Sequence, residues 1–445
     1  MTRFILLGAG SAAALAAFAH AASAQSILSG GGSTSSQFDY GNGAPTPTPG
    51  TTEFSIFNGS SPAPAATFST YWESGGGTGQ QGFIRNDLTC LISRATTGTT
   101  SCSGNVGGVN TVHYSTSDSV LSSEQVSSWA TSSVGQSVAG DLIQLPSMGT
   151  GEAIPVNALK LKKNYQLVLD DNDLCGIFSG KLTNFNQLSD FTKSKITAGN
   201  FNVVYRTDSA GATFILTEHL SDPNVCNTSN TAAGITFVAT TSFATLFPGS
   251  KPPSNFYGAN LADGVASFLE GTSTYGAQPQ AIGYITPDYT SVINKSSPLL
   301  VPSITSGKVK AGQPTVKDII LGLENPVDGT VLTPPSTQAQ AVNPLAWVPV
   351  IQTVSKGYPI VGYTTIDLPQ CYADPNVQAA MISFLTDHYT SPTYAAVQNS
   401  YGLVTIAKSG ASKFLQAIEA NILSNTTKFN ANIGNITVCA GVSGR

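Results

Sequence analysis

The residues most able to do chemistry are Arg206 and Asp208, two positions apart, followed by Ser209-Ala210-Gly211-Ala212. A guanidinium offers planar, two-pronged recognition of an oxyanion, and small residues behind it leave backbone N–H groups open to the same point. Three more turns have this character. Thr34 and Ser35 follow Gly30-Gly31-Gly32, Gly76 lies in Glu73-Ser74-Gly75-Gly76-Gly77-Thr78-Gly79, and Asp118 stands between Ser117 and Ser119. An acceptor-only carboxylate such as Asp118 favours an anion that still carries a proton and repels fully deprotonated sulfate.

Other chemistries find less support. Gly77, Gly79 and Gly82 form G-x-G-x-x-G, but 95–108 contains no carboxylate to meet a ribose. G-x-S-x-G and H-E-x-x-H are both absent, and no carboxylate cluster lies beside a His in sequence. A hydrolase is therefore the minority reading, and no cofactor is expected.

These residues need strand ends and helix starts to hold them. Asn202–Arg206 is β-branched and aromatic, a buried strand, and Phe214, Ile215, Leu216 and Leu220 recur as in a helix. The intervening turn thus aims the positive end of a helix at Arg206. Strands are also expected at 67–72, 111–114, 142–146, 153–161, 281–285 and 357–368. Helices are expected at 80–88, 122–130, 374–388 and 412–423, and 167–186 reads as strand, turn and a helix ending at Gly180. The Pro/Thr-rich 41–64 reads as a loop or insertion. Alternation of strands and helices argues an α/β fold. Such sheets bind ligands at the carboxyl ends of strands, so four similar turns far apart suggest two lobes meeting over one ligand.

The beginning of the chain reads as an export signal, 1–24: Arg3, an apolar run to Ala19, then Ala22-Ser23-Ala24 before Gln25. The remaining ~420 residues suggest two or three domains. Charged residues make up only 10% of the chain, and removing Arg3 from a net charge of −5 leaves about −6. With no basic block, nucleic acid and anionic membrane are poor partners, and no later segment approaches a membrane-spanning length. The six Cys of an exported chain are expected to form disulfides; sequence order suggests Cys90–Cys102, Cys175–Cys226 and Cys371–Cys439, one of fifteen pairings. Each is worth roughly 3–4.5 kcal/mol in the chain-entropy model. Zinc is disfavoured, because no Cys pair has C-x₂-C spacing.

Eight segments in order then resemble the DING proteins, a branch of the periplasmic phosphate-binding proteins of ABC transport. They are GGGST with Tyr40, VHYSTSDSVL (112–121), DLCGIFSGKL (173–182), VVYRTDSAGAT (203–213), IGYITPDY (282–289), GYPIVGYT (357–364), QCYAD (370–374) and NIGNITVC (432–439). The resemblance implies a two-lobe, hinged, class II periplasmic-binding-protein fold without a cofactor. It implies one lobe from 25–155 plus 360–445 and a second from 156–359. It implies a periplasmic or secreted monomer delivering its ligand to an ABC permease, and it supports the pairs 175–226 and 371–439. Matched position by position, Thr34 would bind phosphate through its hydroxyl and Ser35 through its N–H. Asp118 and Arg206 would be the acidic and basic ligands, Asp208 the brace of the arginine, and Gly211 a backbone donor.

The chain also departs from the family. Gly76 stands where the family has a ligand Ser, and Ala210 and Ala212 where it has Ser and Thr; the last two would still donate through their backbone. Three lost hydrogen bonds to a charged group cost roughly 4–9 kcal/mol, some 10³- to 10⁶-fold in affinity. Ser74, Thr78, Ser209 and Thr213 are close enough in sequence to substitute, and Glu73 brings a new carboxylate. The expectation is a receptor that binds phosphate weakly, or prefers another oxyanion or a phosphate ester. The alternatives are a phosphatase-like enzyme or an extracellular adhesion or matrix protein on the same scaffold.

Overall fold

The computed structural model describes residues 25–445 except 42–50, 105–110, 159–161, 163–164, 273–279 and 331–332. The expected export signal, 1–24, lies outside the described residues. Ten strands form the two sheets that matter for the site: β1 (Ser26–Gly32), β2 (Ala66–Glu73), β3 (Tyr114–Ser117), β4 (Leu142–Gly151), β5 (Val156–Asn157), β6 (Asn202–Arg206), β7 (Phe256–Ala259), β8 (Ala281–Gly283), β9 (Val361–Pro369) and β10 (Val404–Thr405).

The larger sheet has the order β10-β4-β9-β3-β1-β2. β1 runs parallel to β2 and β3, while β9 runs antiparallel to β3 and β4. All ten residues of β4 are buried, as a strand covered on both sheet faces must be. Pro146 has no N–H to give to the ladder, and the pairing with β9 slips at that point so that Ser147 bulges out of register. The smaller sheet has the order β5-β8-β6-β7, with β6 parallel to both neighbours. β6 owes its central place to Val203 and Val204, both fully buried.

The chain passes between the sheets along two neighbouring paths. β4 ends at Gly151, the Glu152 N–H donates to the Ile360 carbonyl (2.9 Å), and Ala153 bridges to Ile285 beside the smaller sheet. The return path enters β9 next to it, where Val361 pairs with Gly151. Three disulfides close: Cys90–Cys102, Cys175–Cys226 and Cys371–Cys439. No described helix is long and apolar enough to cross a membrane.

Several expected elements are displaced or were not read. The third strand lies at Tyr114–Ser117 rather than 111–114, which places Asp118 immediately at its end. The helix expected at 80–88 starts earlier, at Gly76, and ends at Arg85. Gly75 precedes it at φ 80°, a backbone conformation a Cβ would disfavour. Helices Leu88–Thr97, Leu261–Glu270 and Val316–Glu324 were not anticipated.

The aromatic core of the larger lobe encloses a polar chain. His388 Nδ1 lies 2.7 Å from Glu53 Oε2, and its Nε2 lies 3.1 Å from both the hydroxyl and the carbonyl oxygen of Ser147. A carbonyl only accepts, so Nε2 carries a proton, and one further proton sits between Nδ1 and Glu53. Tyr40 OH closes the chain at 2.6 Å from Ser147. His388→Ala is expected to lower the unfolding free energy by about 3 kcal/mol, because it strands Glu53 in the core. Urea denaturation measures this, and a loss under about 1 kcal/mol would refute the pairing as a stabilising element.

Candidate functional site

β6 ends at Arg206, and the chain turns through Asp208 into the helix Gly211–Leu220. Arg206 is 2% exposed. Its Nε and Nη2 donate to Asp208 Oδ1 (2.7 Å) and Oδ2 (2.5 Å), and Nη1 donates to Thr34 Oγ1 from the other lobe (3.1 Å). Burial would raise the Asp208 carboxyl, but Arg206, with Arg94 behind it, holds it below the usual carboxylate range. Burial opposes the charge on Arg206, and Asp208 more than restores it. Tyr284 OH fixes this strand end, accepting from the Arg206 N–H (3.0 Å) and pairing with Thr213 Oγ1 (2.7 Å).

Two helix N-termini meet beside the arginine. A Cβ at Gly211 would stand 2.4 Å from the Asp118 nitrogen, and one at Gly76 would stand 2.3 Å from Ser117 Oγ. The glycines therefore let both helix ends reach the Ser117-Asp118 peptide. The first N–H groups of each helix have no partner one turn back; that of Gly77 is taken by the Ser209 carbonyl (2.9 Å), and the rest are available to an anion. Asp118 is 3% exposed. Ser33 Oγ contacts its two oxygens at 2.8 and 2.7 Å, and the Ser35 hydroxyl donates to Oδ1. Burial pushes its carboxyl up, and the hydrogen bonds from Ser35 and Ser33 and the charge of Arg206 offset part of that.

Thr34, Asp118, Arg206, Asp208, Gly76 and Gly211 are thus brought together. Two anticipated backbone donors are committed elsewhere. The Ser35 N–H is taken by Ser33 Oγ (3.2 Å), because the turn closes on its own hydroxyl. The Ala210 N–H is taken by the Thr241 carbonyl (2.9 Å). Ala212 keeps its place in the first helical turn. Among the substitute hydroxyls, Thr213 is held by Tyr284 and Ser209 by Thr241 (2.8 Å), whereas Ser74 Oγ is buried and unpartnered. Ser33 and Ser117 were not read as site residues; each stands next to a turn residue that was.

Acidic groups crowd the centre. Glu73 ends β2 with a buried, unpartnered Oε1, and Glu152, on the path between the lobes, has two. Burial and then Asp263 push the Glu73 carboxyl up to about 8. Burial, then the charge of Asp118, drives Glu152 well above its ordinary value, and burial lifts Asp288 to about 7. Glu152 was not singled out in the sequence, although Gly149-Thr150-Gly151 before it is a turn signal. In the acid form these carboxyls are hydrogen-bond donors. Across the mouth, Gln37 donates to Tyr289 OH, which donates to Asp263, and the Phe38 and Tyr289 rings lie 5.5 Å apart.

Metal and enzyme chemistry find little footing. Among the described residues, the one set of ligand atoms close enough for a metal is Asp87 with Cys90 and Cys102, whose sulfurs are joined in a disulfide. Ser147, His388 and Glu53 have the order of a nucleophile, base and orienting carboxylate. The sequence shows no carboxylate cluster beside a His; the fold brings Glu53 to His388 across 335 residues. All three are buried, beneath Tyr40, Phe54 and Phe384, and none lines a cleft among the described residues.

Two lobes, paired crossings and polar groups facing each other across the gap define a two-lobe solute-binding protein of the class II periplasmic-binding-protein fold. The comparisons agree. A model of the PBP superfamily domain matches residues 74–386. Alkaline phosphatase L of Pseudomonas aeruginosa is 30% identical over 384 residues, covering 86% of this chain and 89% of the relative. A high-affinity periplasmic phosphate-binding protein, PfluDING, solved with phosphate, superposes with a TM-score of 0.71 at 27% identity, covering 94% of this chain and 99% of that one. A structure described as a DING protein gives 0.71 at 25% identity, with the same coverage. The chain belongs to the PBP superfamily, in its DING branch.

Proposed function

We propose that this chain is an exported solute-binding protein that captures phosphate, a related oxyanion or a phosphate ester in the cleft between its lobes. The observation that supports it best is Arg206, buried, braced on Asp208 and reaching Thr34 across the cleft. Thr34, Asp118, Arg206, Gly211 and Ala212 form the ligand shell in this reading, with Ser33 and Ser117 added to it. Residues 25–155 plus 360–445 make one lobe and 156–359 the other, hinged at the two crossings. A cleavable signal, 1–24, a monomeric state and delivery to an ABC permease complete the proposal; the relatives' names and the disulfides support the extracytoplasmic setting.

Affinity for inorganic phosphate is expected to be weak, and calorimetric titration tests it. Saturable binding weaker than about 1 μM that disappears in Arg206→Ala supports the reading. Sub-micromolar affinity would end the weak-binding part, and binding unchanged by Arg206→Ala would end the whole.

The acidic centre makes binding pH-dependent. Glu73 and Asp288 take up negative charge as pH rises through about 8 and about 7. An anion favours their acid forms, so affinity falls between pH 6 and 9, by up to about tenfold per pH unit for each proton lost. Titrations across that range check it: Glu73→Gln should flatten the profile, and an unchanged profile would dismiss Glu73. The same shift acts on folding. Because the folded value is raised, its stabilisation is complete below pH ~4.5 and is lost as pH climbs toward about 8.

A further inference from the structure

The outer part of the cleft is built differently from its acidic centre. A groove of about 590 Å³ lies between the helices Gly76–Arg85, Leu88–Thr97 and Ser123–Thr131 on one side and Thr207–Ser209 on the other. Its charged lining residues are Arg85, Arg94 and Asp208. The fork of Arg206 already neutralises Asp208, so the groove is net positive. Arg94 donates through Nη2 to Asn260 Oδ1 and lies 4.0 Å from Asp208, while its buried Nε has no acceptor. Arg85 is exposed and makes no ion pair among the described residues. The other walls are mostly hydroxyls and amides, such as Gln81, Thr100 and Gln125, and no described lining residue is aromatic.

The groove meets the Arg206 centre where Gly75 and Gly77 pack against Asp208 and Ser209. The Gly77 N–H donates to the Ser209 carbonyl (2.9 Å), and a Cβ at Gly77 would stand 1.9 Å from Ser209 Oγ. Residue 77 thus presents no side chain at that contact, and a ligand spanning it has to part the Gly77–Ser209 hydrogen bond and displace Ser209. Inorganic phosphate needs none of this space, whereas pockets of several hundred Å³ are typical of organic ligands.

We propose that the groove is a second subsite of the cleft, taking the polyol portion of a phosphate ester whose phosphoryl group lies at Arg206. Hydroxyl oxygens of the polyol accept from Arg94 and Arg85 and pair with the amide and hydroxyl walls. With no aromatic platform, the groove suits a phosphorylated sugar better than a nucleotide. This inference rests on the oxyanion reading of the Arg206 centre.

Calorimetry with glucose 6-phosphate, inorganic phosphate and pyrophosphate tests it on the full chain and on Arg94→Gln and Arg85→Gln. The sugar phosphate should bind at least about tenfold more tightly than phosphate. Arg85→Gln should weaken it about 2- to 10-fold with phosphate changed by less than about threefold, and Arg94→Gln should weaken it about 10- to 100-fold, more than it weakens phosphate. Arg85 is exposed, so its variant stays informative if Arg94→Gln destabilises the fold. Equal affinities for ester and phosphate, or equal losses for both in the variants, would overturn the subsite. Pyrophosphate binding as tightly as the sugar phosphate would overturn the polyol assignment. Phosphate binding that ignores Arg206 would instead sink the underlying oxyanion reading.

Discussion

Arg206→Ala should lower oxyanion affinity by about 10²- to 10⁴-fold and destabilise the empty protein at the same time. The two effects share one cause. Asp208 is buried, and its oxygens accept from Arg206 at 2.7 and 2.5 Å, with a further hydrogen bond from the Leu261 N–H at 3.0 Å. Removing the guanidinium leaves that carboxylate without its main counter-charge, which costs about 3–5 kcal/mol in a buried pair. It also removes the cation facing Thr34. Arg206→Ala combined with Asp208→Asn relieves the stranded charge, so the pair should recover much of the melting temperature and none of the binding. Denaturation together with calorimetry separates the two. Recovery of binding in the double variant would mean that Arg206 serves only to balance Asp208.

Restoring the hydroxyls typical of the family should tighten phosphate binding, but not at every position. Ala212→Thr and Ala210→Ser each return a donor to a charged ligand, worth about 1.5–3 kcal/mol, or roughly 10- to 100-fold. Ala210 is the N-cap of the Gly211–Leu220 helix and has no side chain to cap it. A serine there will therefore divide its hydroxyl between the ligand and the helix, raising stability by about 1 kcal/mol and affinity by the smaller amount. Gly76→Ser should fail. Its Cβ would stand 2.3 Å from Ser117 Oγ and 3.0 Å from Ser117 Cα, overpacking worth about 1–3 kcal/mol. Phosphate titrations of the three single variants test the order, and a gain from Gly76→Ser above that from Ala212→Thr would contradict the geometry.

The contrast at positions 76 and 212 shows what could be read before the fold was known. Both departures were legible as residue types. That Ser117 holds the space beside Gly76 was not, because residue 117 is forty-one positions away and meets Gly76 only through the sheet. Asp118 was likewise legible as a ligand type, yet Ser33 and Ser35 engage its oxygens, and the turn that bears Ser35 consumes the backbone donor expected from it.

The amino-acid order alone settled the local elements that carry the site. β6 followed by a helix follows from β-branched residues, then a turn of small residues, then apolar recurrence, all within twenty positions. Family membership was also legible, since eight ordered segments are a one-dimensional pattern. The tertiary structure alone decided which groups are charged and which donors are free. Glu73 and Glu152 are ordinary carboxylates in the sequence and become reluctant acids only when the lobes exclude water around them. His388 and Glu53 likewise became partners across 335 residues. Desolvation and long-range pairing depend on what surrounds a residue in space, and neighbours in the chain do not report that.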